Sequence, residues 1–144
     1  MSEHTPAVSK SPNRSAAMTF GTVYLIVGVL GFFFPGSGGF FAAQGQGGML
    51  FGLFEVDPFQ NVLHLVLAAA LLITGQSTVR SSQLANRGCG ALFLALGLAG
   101  LLLTGTDAAL PATNLADDVL HLLSGVILLA TGILLERDAK RSDI

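Results

Sequence analysis

The chain has 144 residues, of which 51% are apolar and only 11% charged, against a charged fraction of about 25% in ordinary soluble domains. A chain of that composition cannot clothe a water-facing surface and belongs in a lipid bilayer. A formal net charge of −2 with no basic stripe excludes a nucleic-acid partner, and the single cysteine, Cys89, excludes an intrachain disulfide or a Cys-rich metal motif.

Residues 1–17 are polar, carry Pro6, Lys10, Pro12 and Arg14, and show no apolar period; they read as a short disordered tail. Asn13-Arg14-Ser15 matches a glycosylation sequon, a tripeptide common by chance. The first span is the uncharged run 18–34, which at 1.5 Å per residue reaches about 26 Å and just crosses a hydrocarbon core of about 30 Å. A cleaved signal peptide competes with this reading. Against it, Gly21-x-x-Tyr24-Leu25-x-x-Gly28-x-x-Gly31 returns further along the chain as Gly90-x-x-Phe93-Leu94-x-x-Gly97-x-x-Gly100.

Residues 35–57 are glycine-rich yet hold Phe40, Phe41, Met49, Leu50, Phe51, Leu53 and Phe54. They read as an apolar external loop that lies in the interface, dips into it, or folds over the bundle. Asp57 then stands as an N-cap, with Pro58 at the first helical position and Gln60 at the third, and opens a span over 59–79. Gln76 to Arg87 reads as a polar connection, 88–105 as the third span, Thr106 to Pro111 as a turn, and 117–135 as the fourth span. The mixed-charge run 136–144 reads as a second tail.

Threading four spans alternately gathers Lys10, Arg14, Arg80, Arg87, Arg137, Lys140 and Arg141 on one side, while the other carries Glu55, Asp57, Asp107, Asp117 and Asp118. The positive-inside rule makes the first side cytoplasmic, with both termini.

Asn61-Val62-Leu63-His64-Leu65 returns as Asp118-Val119-Leu120-His121-Leu122, and at the same offset Asp57 has its counterpart in Asn114, another helix cap. The fold expected is therefore an all-α membrane protein, a four-transmembrane-helix bundle built from two tandem two-helix repeats. Its halves share one orientation and are related by a pseudo-two-fold along the membrane normal. Positions i, i+4 and i+11 share a helix face, so His64 heads a stripe with Ala68 and Gly75, and His121 one with Gly125 and Gly132. Stripes of small residues face other helices. Gly21, Gly28, Gly90 and Gly97, recurring every seven residues, are expected at helix contacts.

The two histidines, with Asn61 and Asp118 beside them, are the candidate site. They serve as hydrogen-bonded interhelical polar groups that set register, as bis-histidine ligands of a haem or metal, or as a site for protons or a small molecule at the outer leaflet. A zinc site lacks further ligands, so no metal or cofactor is assigned. No Ser/His/acid spacing, phosphate loop or HExxH is present; the expectation is a non-enzymatic structural or accessory component of a membrane assembly. Its partners are then the bilayer and a homo-oligomer or other membrane proteins.

The runs Val23 to Phe32 and Leu50 to Leu65, with Asp118-Val119-Leu120-His121-Leu122, resemble the DUF4383 family of small bacterial membrane proteins. The resemblance implies four spans in the bacterial inner (plasma) membrane and no assigned activity. The chain differs in having Gln60 beside Asn61 where the family pattern has a histidine.

Overall fold

A computed structural model describes residues 11–106 and 113–136. Four helices, α1 (Pro12–Gly31), α2 (Pro58–Gln76), α3 (Val79–Leu103) and α4 (Leu115–Leu134), are each long and apolar enough to cross a membrane. Between α1 and α2 lie two short antiparallel strands, β1 (Gly48–Leu50) and β2 (Phe54–Val56), with Met49 opposite Glu55. The turn joining them places Phe51 and Gly52 in the left-handed region, φ 54° and 69°. Two such residues in succession match the right-handed twist of a tight hairpin, and the bulky Phe51 adopts the conformation at a steric cost.

The backbones pair most closely within α1–α2 and within α3–α4, so the bundle consists of two helical hairpins. Glycines set both contacts. A Cβ on Gly28 would meet Leu65 and the Asn61 carbonyl oxygen, and one on Gly97 would meet Leu122 and the Asp118 carbonyl oxygen. Gly21 faces Leu72, as Gly90 faces Leu129. The two hairpins thus repeat the same contacts with residues that are each other's counterparts in the sequence repeat. Gly125 and Gly132 are buried likewise, against Leu94 and Arg87.

The helix α1 ends at Gly31 rather than the expected 34, and α2 at Gln76 rather than 79, with Ser77 as its C-cap. Two helix starts also differ from the sequence reading, for one reason. The helix α1 begins at Pro12, capped by Ser11, where a tail through residue 17 was expected; α3 begins at Val79, capped by Thr78, so most of the expected polar connection is helical. The polar side chains in both stretches have partners within the bundle. Asn86 Nδ2 donates to Asn13 O and Oδ1 at 2.9 and 3.0 Å, and Ser82 Oγ donates to Thr74 O at 2.8 Å. Arg14 Nε donates to Gly75 O and Arg87 Nε to Gly132 O, at 2.9 and 2.6 Å, placing a cation on the carbonyl end of α2 and of α4. The sequon residue Asn13 is thus fully buried. Of the tail expected over 136–144 only Glu136 is described, and it accepts from Ser11 Oγ and Asn13 Nδ2, both at 2.8 Å; the rest of that tail, residues 1–10 and most of the turn expected at 106–111 lie outside the described residues. Hydrogen bonds to its carboxylate outweigh the burial that opposes them and hold Glu136 below the usual glutamate range.

The apolar loop both folds over the bundle and presents aromatics outward. Ala42, Leu50 and Val56 are buried, while Phe40, Phe41, Phe51 and Leu53 are exposed. Acids fasten it. Glu55 Oε1 accepts from Gly45 N and Gly47 N, Asp57 Oδ2 from Ala42 N, and Asp117 Oδ2 from Glu55 N. Burial nevertheless pushes the Asp57 carboxyl above the usual carboxylate range, against the backbone N–H groups of Gln60, Ala42 and Phe59 and with help from Glu55.

Candidate functional site

The candidate site lies at the bundle end where α2 and α4 start. Asp57 Oδ1 accepts from Gln60 N at 2.7 Å. Asn114 Oδ1 accepts from Asp117 N at 3.1 Å while Asp117 Oδ2 accepts from Asn114 N at 3.0 Å, a reciprocal capping box. Each cap precedes its histidine by seven residues, so at 1.5 Å per residue both imidazoles sit about 10 Å inside their helix starts. Equal caps place the two rings at equal depth.

His64 and His121 meet across the bundle, Nε2 to Nε2 at 3.3 Å, and each is only 4% exposed. Their ring centroids are 5.6 Å apart, an excess over the nitrogen separation equal to two ring radii. The nitrogens therefore lie on the line of centres and the rings meet head-on. One Nε2 donates and the other accepts, so two neutral imidazoles must hold opposite tautomers. Neither Nδ1 has a hydrogen-bond partner among the described residues.

Two aromatic rings close the flanks. Tyr24 and Phe93, counterparts in the glycine-spaced repeat, stack at 4.3 Å between centroids with planes 20° apart. Tyr24 lies 5.1 Å from the His64 ring and Phe93 5.6 Å from that of His121. The Tyr24 hydroxyl donates to Ser124 Oγ at 2.8 Å. Sequence alone gives Tyr24 no place in the site, because Phe93 stands in the equivalent position. A signal is nevertheless there: Ser124 also departs from its counterpart, Leu67, so two of the polar departures from the repeat are each other's partners.

Asn61 and Asp118 lie one turn towards the helix starts, on the same faces as the histidines. Both are buried. The Asn61 carboxamide packs on Gly31, and the Asp118 carboxylate on Gly100, so closely that a Cβ on either glycine would collide with it. Among the described residues Asn61 Oδ1 and both Asp118 oxygens lack a well-formed hydrogen bond, the Thr113 hydroxyl standing near Asp118. The structure thus assembles His64 with His121 but leaves Asn61 and Asp118 each on a glycine of its own helical hairpin.

This geometry limits the chemistry. With the nitrogens in contact and Tyr24 and Phe93 on the flanks, no slot remains in which a macrocycle could lie between the imidazoles, and the bis-histidine haem arrangement does not fit. Among the described residues no group of three His, Cys, Asp or Glu converges on one point, as a tetrahedral zinc would require. The residues closing the core around and beyond the pair are apolar: Leu67, Ala68, Leu71, Cys89 and Leu128 are all buried in one cluster with Tyr24 and Phe93. A cavity of about 630 Å³ opens instead on the outer side of α4, lined by Leu53, Phe54, Leu115, Val119 and Leu123 among others.

No curated protein and no solved structure matches the chain. A family model described as a domain of unknown function, DUF4383, matches residues 14–134, which takes in α1 from its third residue, the other three helices, the strand pair and both histidines. The chain belongs to the DUF4383 family.

Proposed function

We propose that this protein is a non-enzymatic structural or accessory component of a membrane assembly, in which the His64–His121 contact ties two helical hairpins together. The observation that carries the reading is where the buried polar groups go. Tyr24 with Ser124, His64 with His121, and Asn13 with Asn86 each bridge one hairpin to the other. In lipid such contacts take over the role that the hydrophobic effect has in water.

Proton transport is the weaker reading. Both imidazoles sit at one depth, so a proton passed between them moves no charge across the membrane, and the apolar cluster offers no further relay. We further propose that the termini face the cytoplasm and the strand pair faces outward, in a plasma membrane, since Arg14, Arg80 and Arg87 stand at the opposite end from Glu55, Asp57 and Asp117.

Purification of the full chain in mild detergent, with identification of co-eluting membrane proteins, tests the assembly. A partner retained by the wild type should be lost when lipid-facing residues are replaced. A chain that elutes alone at every detergent concentration, or that supports His64-dependent proton flux in liposomes, contradicts the proposal. For orientation, Gln46→Cys in a Cys89→Ala background should react with an impermeant thiol reagent on intact cells and Ser77→Cys should not. The reverse pattern overturns it.

A further inference from the structure

The two unpartnered Nδ1 atoms call for a state in which both have a use. We propose that His64 and His121 form a linear, two-coordinate site for a soft monovalent d10 cation, of which Cu(I) is the natural candidate and Ag(I) the convenient probe. This goes beyond the tie between hairpins, which holds with or without an ion.

The donor geometry is the first argument. A divalent ion such as zinc needs about four ligands in a tetrahedron, and the described residues offer no third. A two-coordinate d10 ion needs only two collinear nitrogen lone pairs, the arrangement that head-on rings present at 3.3 Å. With metal–imidazole bonds of about 2 Å the nitrogens would stand about 4 Å apart, so the rings must separate by roughly 1 Å or less.

The second argument is the fate of the protons. In the ion-free pair one ring carries its proton on Nε2 and the other on Nδ1. Binding moves the first proton from Nε2 to Nδ1 of the same ring and frees both Nε2 lone pairs for the ion; no proton leaves the protein. Both Nδ1 atoms are then donors. The oxygens that lack a well-formed hydrogen bond, Asn61 Oδ1 and those of the Asp118 carboxylate, lie one turn above on the same two faces. Metal-bound imidazoles ordinarily give their other N–H to such oxygens, which fixes the tautomer.

Charge is the third. A cation in a low-dielectric interior is costly unless opposed by negative charge. The carboxyl groups that can oppose it, Glu55, Asp57, Asp117 and Asp118, are all buried at this end, even though burial by itself favours their neutral form, and the described lysine and arginine residues, Arg14, Arg80 and Arg87, all lie at the other.

The test uses the full chain in detergent, in a Cys89→Ala background that removes the one thiol. Titration with Ag(I), and with Cu(I) under anaerobic reducing conditions, should load one ion per chain, read by native mass spectrometry. X-ray absorption should find two nitrogen neighbours at one distance. His64→Ala and His121→Ala should each lower the affinity at least tenfold. Should those variants pack poorly, 15N NMR of the unaltered histidines gives an independent readout: on Ag(I) addition both rings should become Nδ1–H tautomers. The proposal fails if no ion is retained, if the ion persists in both alanine variants, if sulfur appears among its neighbours, if zinc is retained in preference to silver, or if the tautomers do not change.

Discussion

The Tyr24 hydroxyl donates to Ser124 Oγ at 2.8 Å, across 100 residues of chain and from one helical hairpin to the other. The counterpart of Tyr24 is Phe93 and that of Ser124 is Leu67, both buried in the same core. The polar pair and the apolar pair are alternative solutions to one packing problem. Tyr24→Phe should therefore cost about 1 kcal/mol, as a lost interhelical hydrogen bond does in lipid, and Ser124→Ala made on top of it should cost almost nothing more. Thermal unfolding in detergent reads both; equal and additive losses would mean that the hydroxyls act independently.

The glycine contacts make a sharper prediction because they come with an internal control. A Cβ at Gly97 would stand 2.7 Å from Leu122 Cγ and 2.8 Å from the Asp118 carbonyl oxygen, whereas at Gly88 it would meet nothing within 4 Å among the described residues. Gly97→Ala should destabilise by about 1–3 kcal/mol, the cost of overpacking. Gly88→Ala should be neutral or slightly stabilising, since alanine is the better helix former. An unchanged melting temperature for Gly97→Ala would show that α3 and α4 are less closely packed than described.

Glu136 gives the pH dependence. Its folded value lies below the ordinary glutamate value, so its contribution to stability is complete above the unfolded value and is lost as pH falls through the lowered folded one. Wild type should therefore exceed Glu136→Gln in melting temperature at neutral pH, and the gap should close as acid takes the protein below the glutamate range. Asp57 acts in the opposite sense. Its raised value adds stability below the unfolded carboxylate value and withdraws it as pH rises through the folded one, so the two acids are separable by single variants. A gap for Glu136→Gln that persists in acid would assign its effect to packing.

The legible features were those carried by local sequence. Asp57 with Pro58 and Asn114 with Asp117 announced their helix starts, because capping depends on residues close together in the chain. The glycines of α1 and α3 announced their contacts by period. What escaped depends on partners far along the chain. Asn13 looked like tail because its partner Glu136 is 123 positions away, and Asn86 looked like connection because Asn13 is 73 away. The strands at Gly48 and Phe54 are three residues each, too short for an alternating pattern to register, and Phe51 gives no hint of a left-handed turn. The histidines fall between these cases: their place against other helices followed from the small-residue stripe, but the head-on contact and the unpartnered Nδ1 atoms depend on how the two hairpins pack.

Whether His64 and His121 bind the two hairpins to each other is decided by a double-mutant cycle in detergent. Each alanine variant alone should lower stability by about 1 kcal/mol, and the double variant should lose no more than either single one, a coupling energy of the size seen for residues in direct contact. Strictly additive losses, with no coupling between the positions, would mean that the histidine contact does not hold the hairpins together.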